Sequence, residues 1–205
     1  DQALSQGCSF CVIDDKKYKK SEKHILVDDV LICLQELASL HRTKLACSVI
    51  AITGSNGKTT SKELISNVLS KKYNVLSTEG NLNNHIGVPL TLLKLNKNHQ
   101  FAVIEMGANH LKEIELLCEI AKPNFGLITN IGKAHVEGFG SIDNILKGKT
   151  ELYRYLKKNN GTVFVNSDDK KLSKNATGLN SISYGNGSMY AVSYTHLTLP
   201  TNHDV

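Results

Sequence analysis

The chain has 205 residues, 40% of them hydrophobic and 21% charged, with a net charge of +5. That length holds one full core, or one core and part of another, and the composition excludes a disordered or fibrous chain. The mild basicity suits anionic ligands such as nucleotides, but the lysines are scattered apart from those between Lys16 and Lys23 and do not alternate with aromatics, so no nucleic-acid surface is expected.

The five cysteines are odd in number and irregularly spaced, which argues against a secreted disulfide framework. Residues Cys8 to Ile13 read as a strand, in which positions three apart point to opposite faces, so Cys8 and Cys11 are expected to pack rather than clamp a metal. A basic loop, a short strand at Ile25 to Val27 and a helix from Asp28 to His41 follow. Residues 1–45 are expected to be the tail of a separate N-terminal domain, with residues 46–191 forming part of a second one. No apolar run approaches the ~20 residues that span a membrane, and no signal peptide opens the chain, so a reducing cytoplasm is the default expectation; a monomer is expected, although these residues do not themselves encode the oligomeric state. The chain starts without Met in mid-pattern, and residues 192–205 continue no periodicity; the latter are set aside as a non-native tail.

From Val49 onward, short apolar runs alternate with helical patterns. Val49 to Thr53 is a strand, and Lys58 to about Lys72 a helix whose Leu64, Ile65, Val68 and Leu69 recur at helical spacing and predict its buried face. Asn74 to Ser77 reads as a strand, and Gly87 to Leu95 as a short helix with Pro89 in its first turn. Phe101 to Met106 is a strand, and Leu111 to Ala121 a helix stopped by Pro123. Then come a strand at Phe125 to Thr129, a helix from Ser141 to Lys157, and a last strand at Gly161 to Asn166. This alternation predicts an α/β fold, a mostly parallel sheet with helices on both faces and ligands beyond the carboxyl ends of its strands.

The sharpest signal is Thr53-Gly-Ser-Asn-Gly-Lys-Thr-Thr60 between a strand and a helix. Gly54 and Gly57 permit a tight turn in which the N–H groups of Ser55, Asn56 and their neighbours converge on a phosphate, and the helix start at Thr59 and Thr60 adds partial positive charge. Lys58 would reach the β and γ phosphates and the Thr59 hydroxyl would bind Mg²⁺. The usual phosphate loop has a further Gly where this chain has Ile52, which weakens the match to a generic NTPase. Glu105 ends an apolar strand, where a carboxylate has no packing role. His135, read on its own, is a surface loop residue.

The phosphate loop closely resembles that of the Mur ligases and their folylpolyglutamate synthase relatives. Four further segments resemble, in order and spacing, the branch of the Mur ligases that adds D-alanyl-D-alanine to UDP-N-acetylmuramoyl-tripeptide. They are Gly80-Asn-Leu-Asn-Asn-His-Ile-Gly-Val-Pro89, Glu105-Met-Gly-Ala-Asn-His110, Ala134-His-Val-Glu-Gly-Phe-Gly140 and Lys147-Gly-Lys-Thr-Glu-Leu-Tyr153. The resemblance implies an ATP- and Mg²⁺-dependent ligase that forms an acyl phosphate. It implies Glu105 as a metal ligand, His135 as a residue that helps hold a second Mg²⁺, and Lys149, four residues before Tyr153, as a lysine carrying a CO₂-derived carbamate that also ligates Mg²⁺. Lys147 competes for that assignment. Asn81, Asn83 and Asn84 are expected to bind substrate or metal waters, or else to brace their turn; many relatives have Asp where this chain has His85. The family has three domains, so this chain is expected to hold the end of the first and much of the second, and to bind nucleotide without ligating on its own. A sibling ligase for another amino acid, or a non-catalytic nucleotide-binding module, are the alternatives.

Overall fold

The computed structural model describes residues 2–132 and 136–186. After a short helix α1 (Gln2–Ser5), strands β1 (Cys11–Ile13) and β2 (His24–Leu26) pair in parallel as a separate two-stranded sheet. The strand expected from Cys8 begins only at Cys11: Gly7 takes a positive φ after α1, and Cys8 lies exposed in the turn instead of packing.

Helix α2 (Val30–Thr43) is capped by Asp29, whose carboxylate accepts from the N–H groups of Leu31 and Ile32. Strand β3 (Ser48–Thr53) then enters a six-stranded, wholly parallel sheet with β4 (Val75–Ser77), β5 (Phe101–Glu105), β6 (Phe125–Ile128), β7 (Thr162–Asn166) and β8 (Asn180–Tyr184). The order β4-β5-β3-β6-β7-β8 places β3 where the chain switches from building one side of the sheet to building the other. A ligand crevice opens at such a switch point, beyond the carboxyl ends of the strands.

Alternate residues of β3 feed two cores. Val49 and Ala51 join Ala102, Ile104 and Ile128 beneath α4 (Gly87–Leu92), α5 (Glu113–Ala121), α7 (Ile142–Lys149), α8 (Glu151–Lys158) and α9 (Lys170–Asn175). Ile50 and Ile52 join Val103 and Leu127 on the opposite face, against which α3 (Lys58–Leu69) lays Ile65 and Leu69. Helices therefore lie on both faces, as expected, but unevenly among the described residues.

The expected buried face of α3 is half right. Ile65 and Leu69 pack inward, whereas Leu64 and Val68 are 63% and 72% exposed, and the buried positions are Lys62 and Ser66. The helical spacing is as read, but its phase is rotated toward Lys62. The long helix expected over 141–157 is broken at Thr150, whose ψ of 0° separates α7 from α8. A short helix α6 (Val136–Phe139), together with α9 and β8, was not foreseen.

Helix α2, expected to close an N-terminal unit, packs on α4 and α5 and puts Ala38 into the larger core. Arg42 fixes it there. Its buried guanidinium donates to the carbonyls of Ala121, Lys122 and Leu45 and to Asn124 Oδ1, so it satisfies the carboxyl end of α5 and favours that helix dipole. A boundary near residues 42–47 thus cuts between α2 and the helices that cover it.

Candidate functional site

Loop residues 54–57 leave the carboxyl end of β3 and start α3. Gly54 has φ +142° and Gly57 +76°, conformations that side chains disfavour, and a Cβ on Gly54 would stand 2.0 Å from Thr129 Oγ1. The loop is braced by the segment after β6. Thr129 Oγ1 and Asn130 Nδ2 donate to Asn56 O, Asn130 Oδ1 accepts from Asn56 N, and Ser55 Oγ exchanges hydrogen bonds with Gly132. Sequence reasoning missed Thr129 and Asn130; the signal was a pair of polar residues closing an apolar strand, as with Glu105.

Lys58 curls over its own loop, with Nζ donating to Gly54 O at 3.0 Å and Ser55 O at 3.3 Å. Burial lowers its pKa, and the nearby Glu105 carboxylate works against that shift. Glu105 itself is buried at the end of β5, and both its oxygens are engaged: Thr59 Oγ1 donates to Oε2 and Asn83 Nδ2 to Oε1, each at 2.8 Å. The structure thus brings Lys58, Thr59, Glu105 and Asn83 together.

The other asparagines divide. Asn84 Oδ1 accepts from the N–H groups of Ile86 and Gly87 and so braces the turn that leads into α4, the turn-bracing alternative. Asn81 is exposed at the cleft. Gly87 permits the tight return of this loop, since a Cβ there would meet the Leu82 backbone at 2.4 Å.

These elements enclose a cleft of about 700 Å³, lined by Ser55 to Thr60, the Asn81–His85 loop, Glu105 and the Gly107–Asn109 turn, with Glu113 at its edge. Glu113 accepts from the N–H groups of Asn109 and His110, which fixes that turn; burial pushes its carboxyl up, but these hydrogen bonds and the His110 ring together outweigh that and hold it below the usual range. Lys149 does not line the cleft but stands behind it, 1% exposed, donating to Ala108 O at 3.2 Å with its amine 5.5 Å from the centre of the Phe139 ring. Desolvation, reinforced by Lys58, lowers its pKa to about 8. Lys147 lies nearer the surface on α7, so the buried amine is that of Lys149. His135 lies outside the described residues.

The donor set suits a hard divalent cation: the Thr59 hydroxyl and the Glu105 carboxylate are oxygen donors already in register at the mouth of the phosphate loop. The buried Lys149 suits a carbamate. With a pKa of about 8, about a quarter of the amine is neutral at pH 7.5, against ~0.1% for an unperturbed lysine, and only the neutral amine attacks CO₂.

The profile of the Mur ligase middle domain matches residues 52–202. The chain is 42% identical over 204 residues to the UDP-N-acetylmuramoyl-tripeptide--D-alanyl-D-alanine ligase of Haemophilus influenzae, covering 97% of this chain and 44% of that protein. The Escherichia coli protein of the same name is 43% identical over 169 residues, 82% of this chain and 37% of that one. Among solved structures, a MurF ligase of Thermotoga maritima in complex with ADP superposes with a TM-score of 0.83 at 33% identity, covering 92% of this chain and 44% of that one. A MurF from Acinetobacter baumannii gives 0.80 at 37% identity, covering 91% and 42%. The chain therefore spans less than half the length of these relatives.

Proposed function

The chain belongs to the Mur ligase family, through its middle domain, and on that premise we propose that it forms the ATP-binding centre of a ligase joining D-alanyl-D-alanine to UDP-N-acetylmuramoyl-tripeptide. The observation that carries this reading is the Glu105 carboxylate, held by Thr59 on one side and Asn83 on the other at the mouth of the phosphate loop. A pure nucleotide-binding module needs the loop; it does not need a buried carboxylate tied to the loop from across the cleft. The names of the relatives supply the acceptor and the donor peptide.

In this reading the N–H groups from Ser55 to Thr60 and the α3 N-terminus cradle the ATP phosphates. Lys58 swings from the carbonyls of Gly54 and Ser55 onto the β and γ phosphates, exchanging two neutral acceptors for an anionic one. The terminal carboxylate of the tripeptide attacks the γ-phosphorus, ADP leaves, and an acyl phosphate forms. The amine of D-alanyl-D-alanine then attacks the acyl carbon, loses a proton and expels phosphate. The protein's part is positioning and charge stabilisation.

Thr59, Glu105 and Lys149 as its carbamate are the described residues that would hold Mg²⁺, with His135 assigned beside them by resemblance. Held by those residues, a divalent cation would supply positive charge against the transferring phosphoryl group. Asn83 would orient Glu105, Asn81 lines the cleft where substrate would lie, and Asn84 shapes the loop that presents both.

Phosphate release by the full-length protein, given ATP, Mg²⁺ and UDP-N-acetylmuramoyl-tripeptide with and without D-alanyl-D-alanine, tests the reading. Release that requires D-alanyl-D-alanine is expected. Release with a different amino acid instead moves the protein to a sibling ligase, and none with any acceptor leaves a nucleotide-binding module.

A further inference from the structure

Lys62 has no part in the chemistry above, yet its surroundings are unusual for a lysine. It lies one turn beyond Lys58 on α3 and is 1% exposed. Its ammonium donates to Thr78 O at 2.6 Å and pairs at 2.7 Å with Glu63, whose own side chain is 56% exposed. Burying an ammonium is costly, and an apolar residue would complete the seam between α3 and the sheet without that cost. What the amine holds therefore matters.

Thr78 follows β4 directly. Its N–H donates to Val103 O, and its hydroxyl accepts from Glu105 N at 2.9 Å. Lys62 thus ties α3, which carries Lys58 and Thr59, to the strand end that seats the Glu105 backbone and leads into the loop of Asn81 to Asn84. The Glu105 carboxylate bridges the same two bodies farther out, taking one hydrogen bond from Thr59 on α3 and one from Asn83 on the loop. Any change in the spacing between α3 and the end of β4 pulls those donors apart and turns the carboxylate.

We propose that Lys62 is a positioning residue: by fixing α3 against the end of β4 through Thr78, it sets the orientation in which Glu105 meets the divalent cation that accompanies the nucleotide. This rests on the reading of Glu105 and Thr59 as cation ligands. Lys62 touches neither nucleotide nor metal and acts through Thr78 and the Glu105 backbone.

The test measures binding of a fluorescent ADP analogue to the full-length protein as Mg²⁺ is titrated, for the wild type, Lys62→Met, Thr78→Val and the double variant, with a thermal melt of each. Thr78→Val keeps the carbonyl that Lys62 holds and removes only the acceptor for Glu105 N. In both single variants the half-saturating Mg²⁺ concentration should rise on the order of tenfold, the cost typical of losing an outer partner of a metal ligand, while Mg²⁺-free nucleotide affinity is unchanged. The double variant should be no worse than the more severe single one, because the two changes break the same chain of contacts. A lower melting temperature with an unmoved Mg²⁺ midpoint makes Lys62 a merely structural lysine and overturns the proposal. If Lys62→Met does not fold, the midpoint of Thr78→Val decides. Nucleotide binding by the wild type that ignores Mg²⁺ would instead sink the assignment of Glu105 and Thr59, and the Lys62 proposal with it.

Discussion

Replacing Arg42 with Met should destabilise the whole central fold, although Arg42 lies on a helix that the sequence assigns to a preceding unit. Met keeps much of the apolar stem and removes the guanidinium, which is 7% exposed and donates to four oxygens at 3.0 to 3.4 Å. All four acceptors are neutral, so the charge is carried by carbonyl dipoles at the end of α5. Each hydrogen bond to a charged group contributes ~1.5–3 kcal/mol, and the helix-end interaction ~0.5–1 kcal/mol. Against this stands the cost of burying the charge, which is large enough to lower the Arg42 pKa. Counting two of the four bonds at the low end of that range and letting desolvation cancel the remainder leaves a net loss of about 3 kcal/mol. For a domain of this size that lowers Tm by about 6–12 °C. A circular-dichroism melt of the 205-residue chain measures it, and a single transition moving down by that amount is expected. A drop below about 2 °C would refute the reasoning and leave α2 as a separable appendage.

Three further outcomes follow from the site. Gly54→Ala should abolish nucleotide binding with little loss of helix content, because its Cβ collides with Thr129 and its φ of +142° suits only glycine; calorimetric titration with ADP checks it, and retained affinity would contradict the loop geometry. Gly87→Ala should displace the Asn81–Asn84 loop through the Leu82 backbone, weakening Mg²⁺-dependent more than Mg²⁺-free nucleotide binding in the same titration. Lys149→Met should raise stability near pH 7 in CO₂-free buffer by about 1–2 kcal/mol, since the folded state disfavours the charged amine. The folded pKa of about 8 lies below the unfolded 10.5, so the penalty on the wild type is complete below pH 8 and fades as pH rises toward 10.5. The advantage of the variant should shrink over that window in urea melts; an advantage that grew with pH would show the sign to be wrong.

Strands β3, β5, β6 and β7 were legible because a strand buried on both faces needs an unbroken apolar run, and Gly, Pro or Asn marks its ends. Glu105 was legible for the complementary reason: a carboxylate that ends such a run has to answer to something outside the core. The phase of α3 was not. Leu64 and Val68 carry the apolar signal, but the face that meets β4 and β5 is set by Lys62, whose value lies in a carbonyl sixteen positions away at Thr78. The break at Thr150 left no mark either, since Thr is unremarkable in a helix and the kink shows only in a single ψ. Short polar elements such as α9 and β8 lack the periodicity that would have announced them. The packing of α2 on the sheet depends on Arg42 reaching oxygens about eighty residues away, a contact no local window contains.

The junction at Thr150 has a mechanical consequence. Lys149, just before it, reaches Ala108 O, and Glu151, just after it, accepts from the N–H groups of Lys112 and Glu115 at 2.7 and 2.9 Å. The stretch from 108 to 115 is therefore clamped at both ends by one short piece of chain, and that clamp is seated in the core through Leu152 and Leu156. This wall of the cleft serves as the anvil of the site. The facing wall, the loop of Asn81 to His85, is held differently: the Asn83 amide donates to Glu105, the Asn83 carbonyl accepts from Gly107 N–H, and Gln35 Nε2 donates to His85 O.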